Sequence, residues 1–337
     1  MRLTVLGAGN MGCALATILA GNRHDVAMWS IEPDVVADIQ RRHRTEKYLP
    51  GVVLDHRITA TGDIVAALHG AQGVILAVPS HVIASVAAAA APHMGVRTPV
   101  LSVAKGIEAK TFRALPDVVA EAFSRRRGSV AGLAGPAVAT EIAAGMPTVV
   151  VVAGRPTDAA FWQRALTRPT FRIEQARDLV GVSWAACLKN VYAIALGMCD
   201  GMRYSMNTKA ILTTHALAEM ADFLRSVGAK PGIAYGLVGI GDLVTTGFSL
   251  HGRNRKFGEL ICANGQCDIP AVLKTMTVEG VAAVDVAHAW VRQQQLWLPL
   301  LDLVWRVCHR GADPCRSLTM YFTRNVGEGF IPSRGRA

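Results

Sequence analysis

The most unusual ionisable group in the chain is a lysine within an apolar stretch. Lys189 lies in residues 182–196, where apolar residues surround it on every helical face. Such an ammonium either extends to a solvated edge of the helix or is kept in a cleft for use. The adjacent amide of Asn190 favours the cleft. There, burial or a neighbouring cation can lower the pKa of the lysine far enough for it to donate a proton to a carbonyl oxygen.

Three other polar segments carry candidate groups, and each has a structural alternative. Lys105 follows a predicted strand and is either the cation beside Lys189 or a solvated charge at the strand end. Asp242 either holds Lys189 and a substrate hydroxyl or caps the next helix. The run Arg253-Asn254-Arg255-Lys256 is either a phosphate site, because arginine offers phosphate a two-pronged hydrogen bond, or an exposed charge run.

A glycine-rich turn stands near the start of the chain. The motif Gly7-Ala8-Gly9-Asn10-Met11-Gly12 follows a predicted strand at residues 3–6 and precedes a helical run at 13–20. In this context the first glycine forms the turn, the second lets backbone approach a pyrophosphate, and the third lets the helix pack on the strand. The pattern therefore predicts a dinucleotide site.

The end of the second predicted strand bears on which dinucleotide is bound. Enzymes that use NAD place an acidic residue there, on the ribose 2′-hydroxyl. Ser30 occupies that place and would not repel a 2′-phosphate, whereas Glu32, two residues on, can still take the NAD role. The choice between NAD and NADP stays open. With Lys189 as proton donor, a nicotinamide cofactor would complete the reduction of a carbonyl.

Alternating strands and helices should position these groups in the first half of the chain. Apolar runs that alternate with helical patterns predict buried parallel strands joined by crossover helices. The predicted strands are residues 3–6, 26–29, 74–78, 100–103, 130–133 and 149–152. This pattern indicates an α/β Rossmann-type N-terminal domain over residues 1–178.

The second half changes in character after Asp178. Long segments rich in Ala, Leu and Met have helical spacing, with breaks predicted at residues 197–201, 228–232 and 239–241. We therefore predict an all-α C-terminal domain over residues 179–330, followed by a loose tail at 331–337. The active site is expected between the two halves.

Bulk composition excludes several classes of protein. The chain has 337 residues, 51% hydrophobic and 18% charged, which is enough to bury two cores. Its net charge of +10 is scattered apart from residues 41–42 and 125–127, and aromatics are only 6%, so we expect no nucleic-acid partner. Residues 182–198 are apolar enough for a membrane span, but Lys189 and Asn190 at their centre favour a buried helix instead.

The cysteines, the histidines and the N-terminal residues bear on the location of the protein and on metal binding. Seven cysteines in no zinc-like spacing indicate reduced thiols, and the N-terminal residues show no signal segment, so a cytoplasmic location is expected. No histidine has a metal-ligand or hydrolase spacing. We predict neither a metal nor a covalent nucleophile, and a homodimer stays an open option.

Taken together, the motifs resemble one family, the bacterial type of NAD(P)-dependent sn-glycerol-3-phosphate dehydrogenase. The likeness runs from the first glycines to about residue 327. Beyond the glycine turn, it rests on these segments in this order: Tyr48-Leu49-Pro50-Gly51, Val78-Pro79-Ser80-His81, Ala104-Lys105-Gly106, Gly135-Pro136 with Glu141, Leu188-Lys189-Asn190-Val191, Gly197-Met198-Cys199-Asp200-Gly201, Gly241-Asp242-Leu243, Arg253-Asn254-Arg255-Lys256-Phe257-Gly258 and Val278-Glu279-Gly280.

The resemblance implies reversible reduction of dihydroxyacetone phosphate, a small phosphorylated partner, to sn-glycerol 3-phosphate for phospholipid synthesis, with NAD or NADP. It makes Lys189 the proton donor, with Lys105 touching both cofactor and substrate and Asp242 holding the substrate. It implies that Arg253 and Asn254 bind the substrate phosphate, with Arg253 also reaching the cofactor. Further contacts follow from the same likeness: the cofactor meets Gly7, Gly9, Asn10, Met11, Gly12, Ala139 and Glu279, and the substrate meets Gly135.

Five positions depart from the family pattern, and one of them is Ser30, which lacks the usual basic or polar neighbours. Ala137 and Gly252 replace residues that usually carry a hydroxyl, and Asn10 and Met11 replace a serine and an aromatic residue. Two lost hydrogen bonds, at roughly 1 kcal/mol each, would weaken substrate binding rather than abolish it. The alternatives are therefore a paralogue that reduces a related phosphorylated ketone, or a dinucleotide sensor without catalysis.

Overall fold

The chain folds into two compact units. The computed structural model describes residues 1–123, 130–250, 252–263 and 269–327. The first unit contains Met1–Glu108 and Arg113–Ser183, and the second contains Ala109–Phe112 and the chain from Trp184 onward. The boundary predicted at residues 178 and 179 coincides with the start of a long helix at Leu179, and it stays a prediction.

An eight-stranded sheet forms the centre of the first unit. The strand order is β3-β2-β1-β4-β5-β6-β7-β8. The strands are β1 (Arg2–Leu6), β2 (Asp25–Trp29), β3 (Ile58–Thr61), β4 (Val74–Leu76), β5 (Val100–Ser102), β6 (Val130–Ala134), β7 (Thr148–Ala153) and β8 (Phe171–Ala176). The order reverses between β1 and β4, which is where sheets of this kind bind ligands. The Rossmann-type prediction is confirmed.

Two of these strands were not predicted, and both lie at edges of the sheet. In β3 and β8 buried residues alternate with exposed ones, and β8 carries Arg172 and Glu174. A search for continuous apolar runs finds strands buried on both faces, such as β1 and β4, and passes over edge strands that face water on one side.

The direction of one predicted strand is wrong. The first six strands in the sheet order, from β3 to β6, pair in parallel, but β7 runs antiparallel to β6, with Leu133 opposite Val152. β8 then pairs in parallel with β7. Hydrophobic pattern reports burial and not direction, so nothing in residues 149–152 distinguishes the two orientations.

Helices cover the sheet. Those of the first unit are α1 (Asn10–Gly21), α2 (Pro33–Arg42), α3 (Ile64–Leu68), α4 (Ile83–Ala90), α5 (Leu115–Ala122), α6 (Ala139–Ala143) and α7 (Pro156–Leu166). α1 is apolar almost throughout, and its Leu15, Ile18 and Leu19 belong to the core cluster that includes Val5 and Met28 of the sheet. This packing fixes α1 directly behind the glycine turn. The predicted basic run at residues 125–127 lies outside the described residues.

The second unit is helical in its described part, as predicted. Its helices are α8 (Leu179–Gly201), α9 (Met206–Ser226), α10 (Asp242–Gly247), α11 (Arg253–Ala263), α12 (Ile269–Thr275), α13 (Glu279–Gln293), α14 (Pro299–Arg310) and α15 (Pro314–Gly327). α8 is long and apolar enough to cross a membrane, but 89% of its most apolar window is buried within the structure. It is therefore the core helix of this unit, in agreement with the sequence interpretation of residues 182–198.

One predicted helix break is wrong. α8 continues through Gly197 and ends only at Gly201. A Cβ at Gly197 would lie 1.9 Å from the carbonyl oxygen of Arg255, so this glycine provides the close approach of α11 rather than a turn. The break at residues 228–232 is confirmed, because α9 ends at Ser226. Residues 239–241 lie in a π-helical turn that leads directly into α10.

The cysteines within the described residues are free thiols. Cys13, Cys187 and Cys199 are buried, and burial raises the pKa of each thiol to about 12. They are therefore protonated and unreactive at neutral pH, as structural cysteines are. Cys267 lies outside the described residues.

A buried carboxyl group ties three helices of the second unit together. Glu219 on α9 accepts hydrogen bonds from the backbone N–H groups of Leu300 and Leu301, at 2.6 and 2.9 Å, in the first turn of α14. The hydroxyl of Tyr192 on α8 donates to the same carboxyl group at 3.3 Å. Burial raises the pKa of Glu219 to about 8, although these hydrogen bonds oppose the shift.

This carboxyl group should make stability depend on pH. Its pKa rises from an ordinary 4.5 to about 8 on folding, so the folded state holds a proton that the unfolded state has lost between these values. The free energy of unfolding should therefore fall as pH rises through this window, by up to about 1.4 kcal/mol per pH unit from this group. In urea unfolding from pH 5 to 9, Glu219→Gln should lack that loss. Asp222→Asn on the same helix should still lose stability as pH rises. If the free energy of unfolding depended on pH equally in wild type and in Glu219→Gln, the assignment would be contradicted.

Candidate functional site

The glycine turn occupies the switch point of the sheet in the first unit. Gly7 follows β1 with φ +116°, and its N–H donates to the carbonyl of Trp29 at 2.9 Å. Gly9 is the N-cap of α1, and the helix has no acidic side chain in its first turn. The N–H groups and the positive end of the helix dipole at this turn suit an anionic ligand. The location and form of the predicted turn are as expected.

The three glycines of the turn differ in the space around them. A Cβ at Gly7 would lie 2.5 Å from the carbonyl oxygen of Ala77, and one at Gly12 would lie 2.0 Å from that of Gly7. These two glycines are required by the packing of the protein itself. A Cβ at Gly9 would meet no protein atom within 4 Å. The space over Gly9 is thus open, as the approach of a pyrophosphate requires, and the turn fits a dinucleotide.

Several predicted contacts follow the carboxyl ends of neighbouring parallel strands. Lys105 comes three positions after β5 and is half-buried, and Gly135 follows β6 with φ +126°. Because the carboxyl ends of parallel strands meet at one edge of a sheet, both lie at the edge that carries the glycine turn. Met11 and Ala139 are partly buried and pack against the core cluster that includes Val5 and Met28, whereas Asn10 is exposed.

A buried ion pair dominates the second unit. Lys189 on α8 is 6% exposed and Asp242, the first residue of α10, is 2% exposed. The ammonium Nζ of Lys189 donates to Asp242 Oδ1 at 2.8 Å and to the hydroxyl oxygen of Thr246 at 2.5 Å. Removing one partner of such a pair leaves a buried charge, at a cost of about 3–5 kcal/mol. The pair is therefore fixed within the unit.

This geometry excludes one structural alternative left open by the sequence for Lys189 and one for Asp242. Lys189 does not extend to a solvated edge, because its ammonium is held by Asp242 inside the unit. Asp242 does not act as the N-cap, since that position belongs to Gly241 and the carboxylate bonds Lys189. Thr246 was not predicted. Its position four residues after Asp242 places both side chains on the same face of a helix, which is the signal that would have found it.

The residue after Lys189 begins a second polar network. Asn190 Oδ1 accepts a hydrogen bond from Asn254 at 2.9 Å, and its amide donates to Glu279 at 3.4 Å. Asn254 Oδ1 in turn accepts the N–H of Gly280 at 2.8 Å, in the first turn of α13. Predicted residues from three helices, α8, α11 and α13, are thus brought together, with Asn190 as their common partner.

The basic run on α11 separates into groups with different environments. Arg253 is exposed and lies 3.7 Å from the carboxylate of Glu279, a contact that as a surface pair contributes about 0–1 kcal/mol. Arg255 is buried and pairs with Asp200 and Glu259. Lys256 also pairs with Glu259. The run is therefore not a uniformly solvated face, and Arg253 is its member best placed to meet an anion.

Gly252, one of the positions that depart from the family pattern, is sterically constrained. A Cβ there would lie 2.4 Å from the backbone carbonyl of Thr246. A serine at this position would require the end of α10 to move, and that helix carries both partners of Lys189. The loss of the hydroxyl is therefore coupled to the packing of α10.

A dinucleotide turn on a doubly wound sheet, together with a helical unit that buries a lysine and carboxylate pair, defines the class of dinucleotide-binding oxidoreductases. The profile described as NAD-dependent glycerol-3-phosphate dehydrogenase N-terminus matches residues 2–160, and its C-terminus counterpart matches residues 178–319. The chain belongs to the NAD-dependent glycerol-3-phosphate dehydrogenase family, whose members are enzymes that use NAD or NADP.

Individual relatives agree over nearly the whole chain. The glycerol-3-phosphate dehydrogenase [NAD(P)+] of Anaeromyxobacter sp. (strain K) is 38% identical, over 97% of this chain and 99% of that protein. The enzyme of the same name from Moorella thermoacetica is 38% identical over 92% of each. The crystal structure of glycerol-3-phosphate dehydrogenase from Coxiella burnetii superposes with a TM-score of 0.88 at 31% identity, covering 96% of this chain and 99% of that one.

Within the part of the chain that the structure describes, no group of three or more His, Cys, Asp or Glu side chains is placed to hold a metal ion. The polar groups found around Lys189 are instead an ammonium, a carboxylate, a hydroxyl and amides. Groups of these types are the ones that act in general acid–base chemistry.

The glycine turn yields a matched pair of variants. Gly9→Ala should leave the free energy of unfolding within about 0.5 kcal/mol of wild type, because its Cβ meets no protein atom. It should weaken NAD(P)H binding about tenfold or more, since that Cβ occupies the space of the pyrophosphate. Gly12→Ala should instead destabilise the fold by about 1–3 kcal/mol. Urea unfolding and cofactor titration measure the two effects; unchanged affinity in Gly9→Ala would refute the assigned phosphate site.

Proposed function

We propose that this protein reversibly reduces dihydroxyacetone phosphate to sn-glycerol 3-phosphate with NAD(P)H, and that Lys189 supplies the proton. The observation that carries the proposal is the buried ammonium of Lys189, held by Asp242 and Thr246 in the helical unit of a glycerol-3-phosphate dehydrogenase family member. Such a reaction in the cytoplasm would provide a precursor for phospholipid synthesis.

The proposed reaction needs one hydride and one proton. NAD(P)H, when bound, would supply the hydride to C2 of the ketone, with NAD(P)+ as the oxidised product. Lys189 donates an N–H proton to the carbonyl oxygen, which becomes the C2 hydroxyl. In the reverse direction the neutral amine of Lys189 takes that proton back. A positioned acid of this kind contributes about 10²–10⁴-fold to the rate.

Asp242 and Thr246 orient the proton donor. Both accept hydrogen bonds from Nζ of Lys189, so they fix the direction in which the ammonium points. Thr246 Oγ1 also lies 3.4 Å from Asp242 Oδ1, on the same side of α10. In the proposed role Asp242 additionally accepts a hydrogen bond from a substrate hydroxyl, since a carboxylate has about four acceptor positions.

The substrate phosphate is assigned to the start of α11. The exposed guanidinium of Arg253 offers two parallel N–H donors, which match a phosphate better than an ammonium does. The amide of Asn254 donates one N–H to Asn190 and has a second, which we assign to the same phosphate. Lys105 and Gly135 remain proposed substrate contacts, and Ala139 and Glu279 remain proposed cofactor contacts.

A related phosphorylated ketone is the second candidate substrate. Ala137 and Gly252 lack the hydroxyls expected of the family. At position 252 a side chain would also collide with the backbone carbonyl of Thr246 at the end of α10. A panel of phosphorylated and unphosphorylated ketones, each reduced with NADH and with NADPH, separates the two candidates. Cofactor binding without turnover on any member of the panel would instead favour a sensor.

Replacement of the proton donor tests the proposal. Lys189→Met should lower kcat for dihydroxyacetone phosphate by about a hundredfold or more, because it removes the general acid. Its affinity for NADH should change less than about twofold, because the glycine turn belongs to the other unit. Absorbance of reduced nicotinamide and a binding titration give the two readouts.

A second buried lysine provides the control. Lys209, on α9 of the same unit, is 7% exposed, and its ammonium pairs with the carboxylate of Asp200 at 2.8 Å. Lys209→Met tests whether loss of any buried ammonium impairs the enzyme, and we expect its kcat to stay within about threefold of wild type once folding is confirmed by a thermal melt. A Lys189→Met variant with near wild-type kcat would rule out Lys189 as the donor.

A further inference from the structure

A cavity of about 460 Å³ opens on the helical unit, between the segment that precedes α14, α14 itself and α15. Trp297, Leu303 and Met320 supply apolar walls, one from each of these parts. A volume of this size lies within the range of small-molecule sites, roughly 300–1,000 Å³. None of the residues that line the cavity has a role in the proposed reaction, so the site described above does not account for it.

An exposed tryptophan forms one wall of this cavity. All six tryptophans lie within the described residues, and Trp297 is the exposed one, at 77%. Trp162 and Trp184, in contrast, are 0% and 1% exposed. Tryptophan is highly buried on average, because its large ring gains free energy on leaving water. A flat ring stacked on the indole of Trp297 would cover it, and every nucleic-acid base offers such a ring.

The α15 side of the cavity is held in place by hydrogen bonds. Tyr321 is 6% exposed, and its hydroxyl lies 2.8 Å from Nδ1 of the buried His215. The polar end of this tyrosine is therefore satisfied inside the protein. One turn further along α15, the amide of Asn325 donates to the backbone carbonyl of Tyr321 at 2.8 Å. This wall is thus formed before any ligand binds, which lowers the cost of binding.

The charged groups of the cavity favour an anion. Arg306 on α14 pairs with Asp302 at 2.5 Å, so these two charges offset each other. Arg324 on α15 also lines the cavity, is exposed, and forms no ion pair with any described residue. The lining residues therefore carry one excess positive charge. Guanidinium groups bind phosphate through two parallel N–H donors, and Arg306 keeps further N–H groups beside its bond to Asp302.

Two neutral polar groups complete the lining. The hydroxyl of Ser317 is half-buried and has no hydrogen-bond partner among the described residues. Asn325 donates from its amide nitrogen to Tyr321, which leaves its carbonyl oxygen as an acceptor. A hydroxyl that donates and accepts and an amide oxygen that accepts suit the hydroxyls of a sugar, whereas a plain apolar chain would leave both unpaired.

We propose that this cavity is a second ligand site, which binds a mononucleotide. The base stacks on Trp297, the phosphate meets Arg324 and Arg306, and the ribose meets Ser317 and Asn325. The aromatic face, the excess cation and the neutral hydrogen-bonding groups match the three chemical parts of such a ligand. The inference goes beyond the proposed function and does not depend on the identity of the ketone.

A calorimetric titration of AMP tests the proposal. The protein is first given one equivalent of NADH, so that the site at the glycine turn is filled. Wild type should then bind one further AMP per chain. Adenosine, which keeps the base and the sugar but lacks the phosphate, should bind about tenfold or more weakly than AMP, because it loses the charged hydrogen bonds to the arginines.

Two variants separate the base from the phosphate. Trp297→Ala should raise the Kd of both AMP and adenosine about tenfold, because both ligands lose the stacking surface. Arg324→Gln should raise the Kd of AMP about tenfold and leave that of adenosine within about twofold of wild type. The matched control is Arg316→Gln, which makes the same charge change at an exposed residue of α15 that does not line the cavity. Its Kd for AMP should stay within about twofold of wild type.

Three outcomes would overturn the assignment. The first is a wild type that takes up no AMP beyond the NADH site, and the second is an unchanged Kd for AMP in Trp297→Ala. The third is a wild-type dimer that Trp297→Ala converts to monomer in sedimentation, which would make this face an interface between two copies of the chain. Loss of turnover on dihydroxyacetone phosphate would refute the proposed reaction alone, because the titration contains no ketone.

Discussion

The ion pair between Lys189 and Asp242 is the interaction on which the helical unit and its proposed chemistry both depend. Transferring two charges out of water is costly, and their attraction repays the cost only when the geometry is good and additional hydrogen bonds are present. Thr246 supplies such a bond to the ammonium. The pair therefore requires that α8 and α10 keep their positions to within a fraction of a hydrogen-bond length. In the proposed reaction this arrangement would hold the ammonium of Lys189 in a fixed orientation for proton transfer.

The rest of the unit can be understood as support for that pair. α8 is buried along residues 181–199, so its position is set by packing on all sides. Gly197 lets the backbone of α11 approach it closely, and Asn190 joins α11 and α13 through Asn254 and Glu279. The start of α11, with Arg253, is thereby held at a fixed place relative to Lys189. The proposed substrate carries a phosphate and a ketone oxygen in one small molecule, and its binding would need such a fixed spacing.

The sequence predicted the parts of this arrangement that depend on local pattern. The glycine turn was found because its spacing, its strand and its helix are all contiguous, and the strands buried on both faces were found because they are continuously apolar. The edge strands β3 and β8 and the direction of β7 were not found, since alternation is a weaker signal and no local pattern encodes direction. The resemblance to a family assigned site roles to Asp242 and Arg253, which spacing alone left undecided, and these roles stay predictions.

Contacts between distant segments were the least predictable part of the site. The hydrogen bond from Lys189 to Thr246 and the one from Asn254 to Asn190 each join residues more than fifty positions apart, and single residues give no signal for such pairs. Gly197 is a second example of a residue whose role depends on a distant segment. By local pattern a glycine in a helix indicates a break, but here it is needed because the carbonyl of Arg255 packs against it. The tertiary neighbour decides what the residue does.

A double-mutant cycle on Lys189 and Asp242 tests the central claim most directly. The account predicts that Lys189→Met and Asp242→Asn each lower both the free energy of unfolding and kcat for dihydroxyacetone phosphate. It further predicts that the double variant is more stable than Lys189→Met alone, because no unpaired buried charge remains, while its kcat is no lower than that of Lys189→Met. Independent, additive losses in stability, or a double variant that keeps near wild-type kcat, would contradict it.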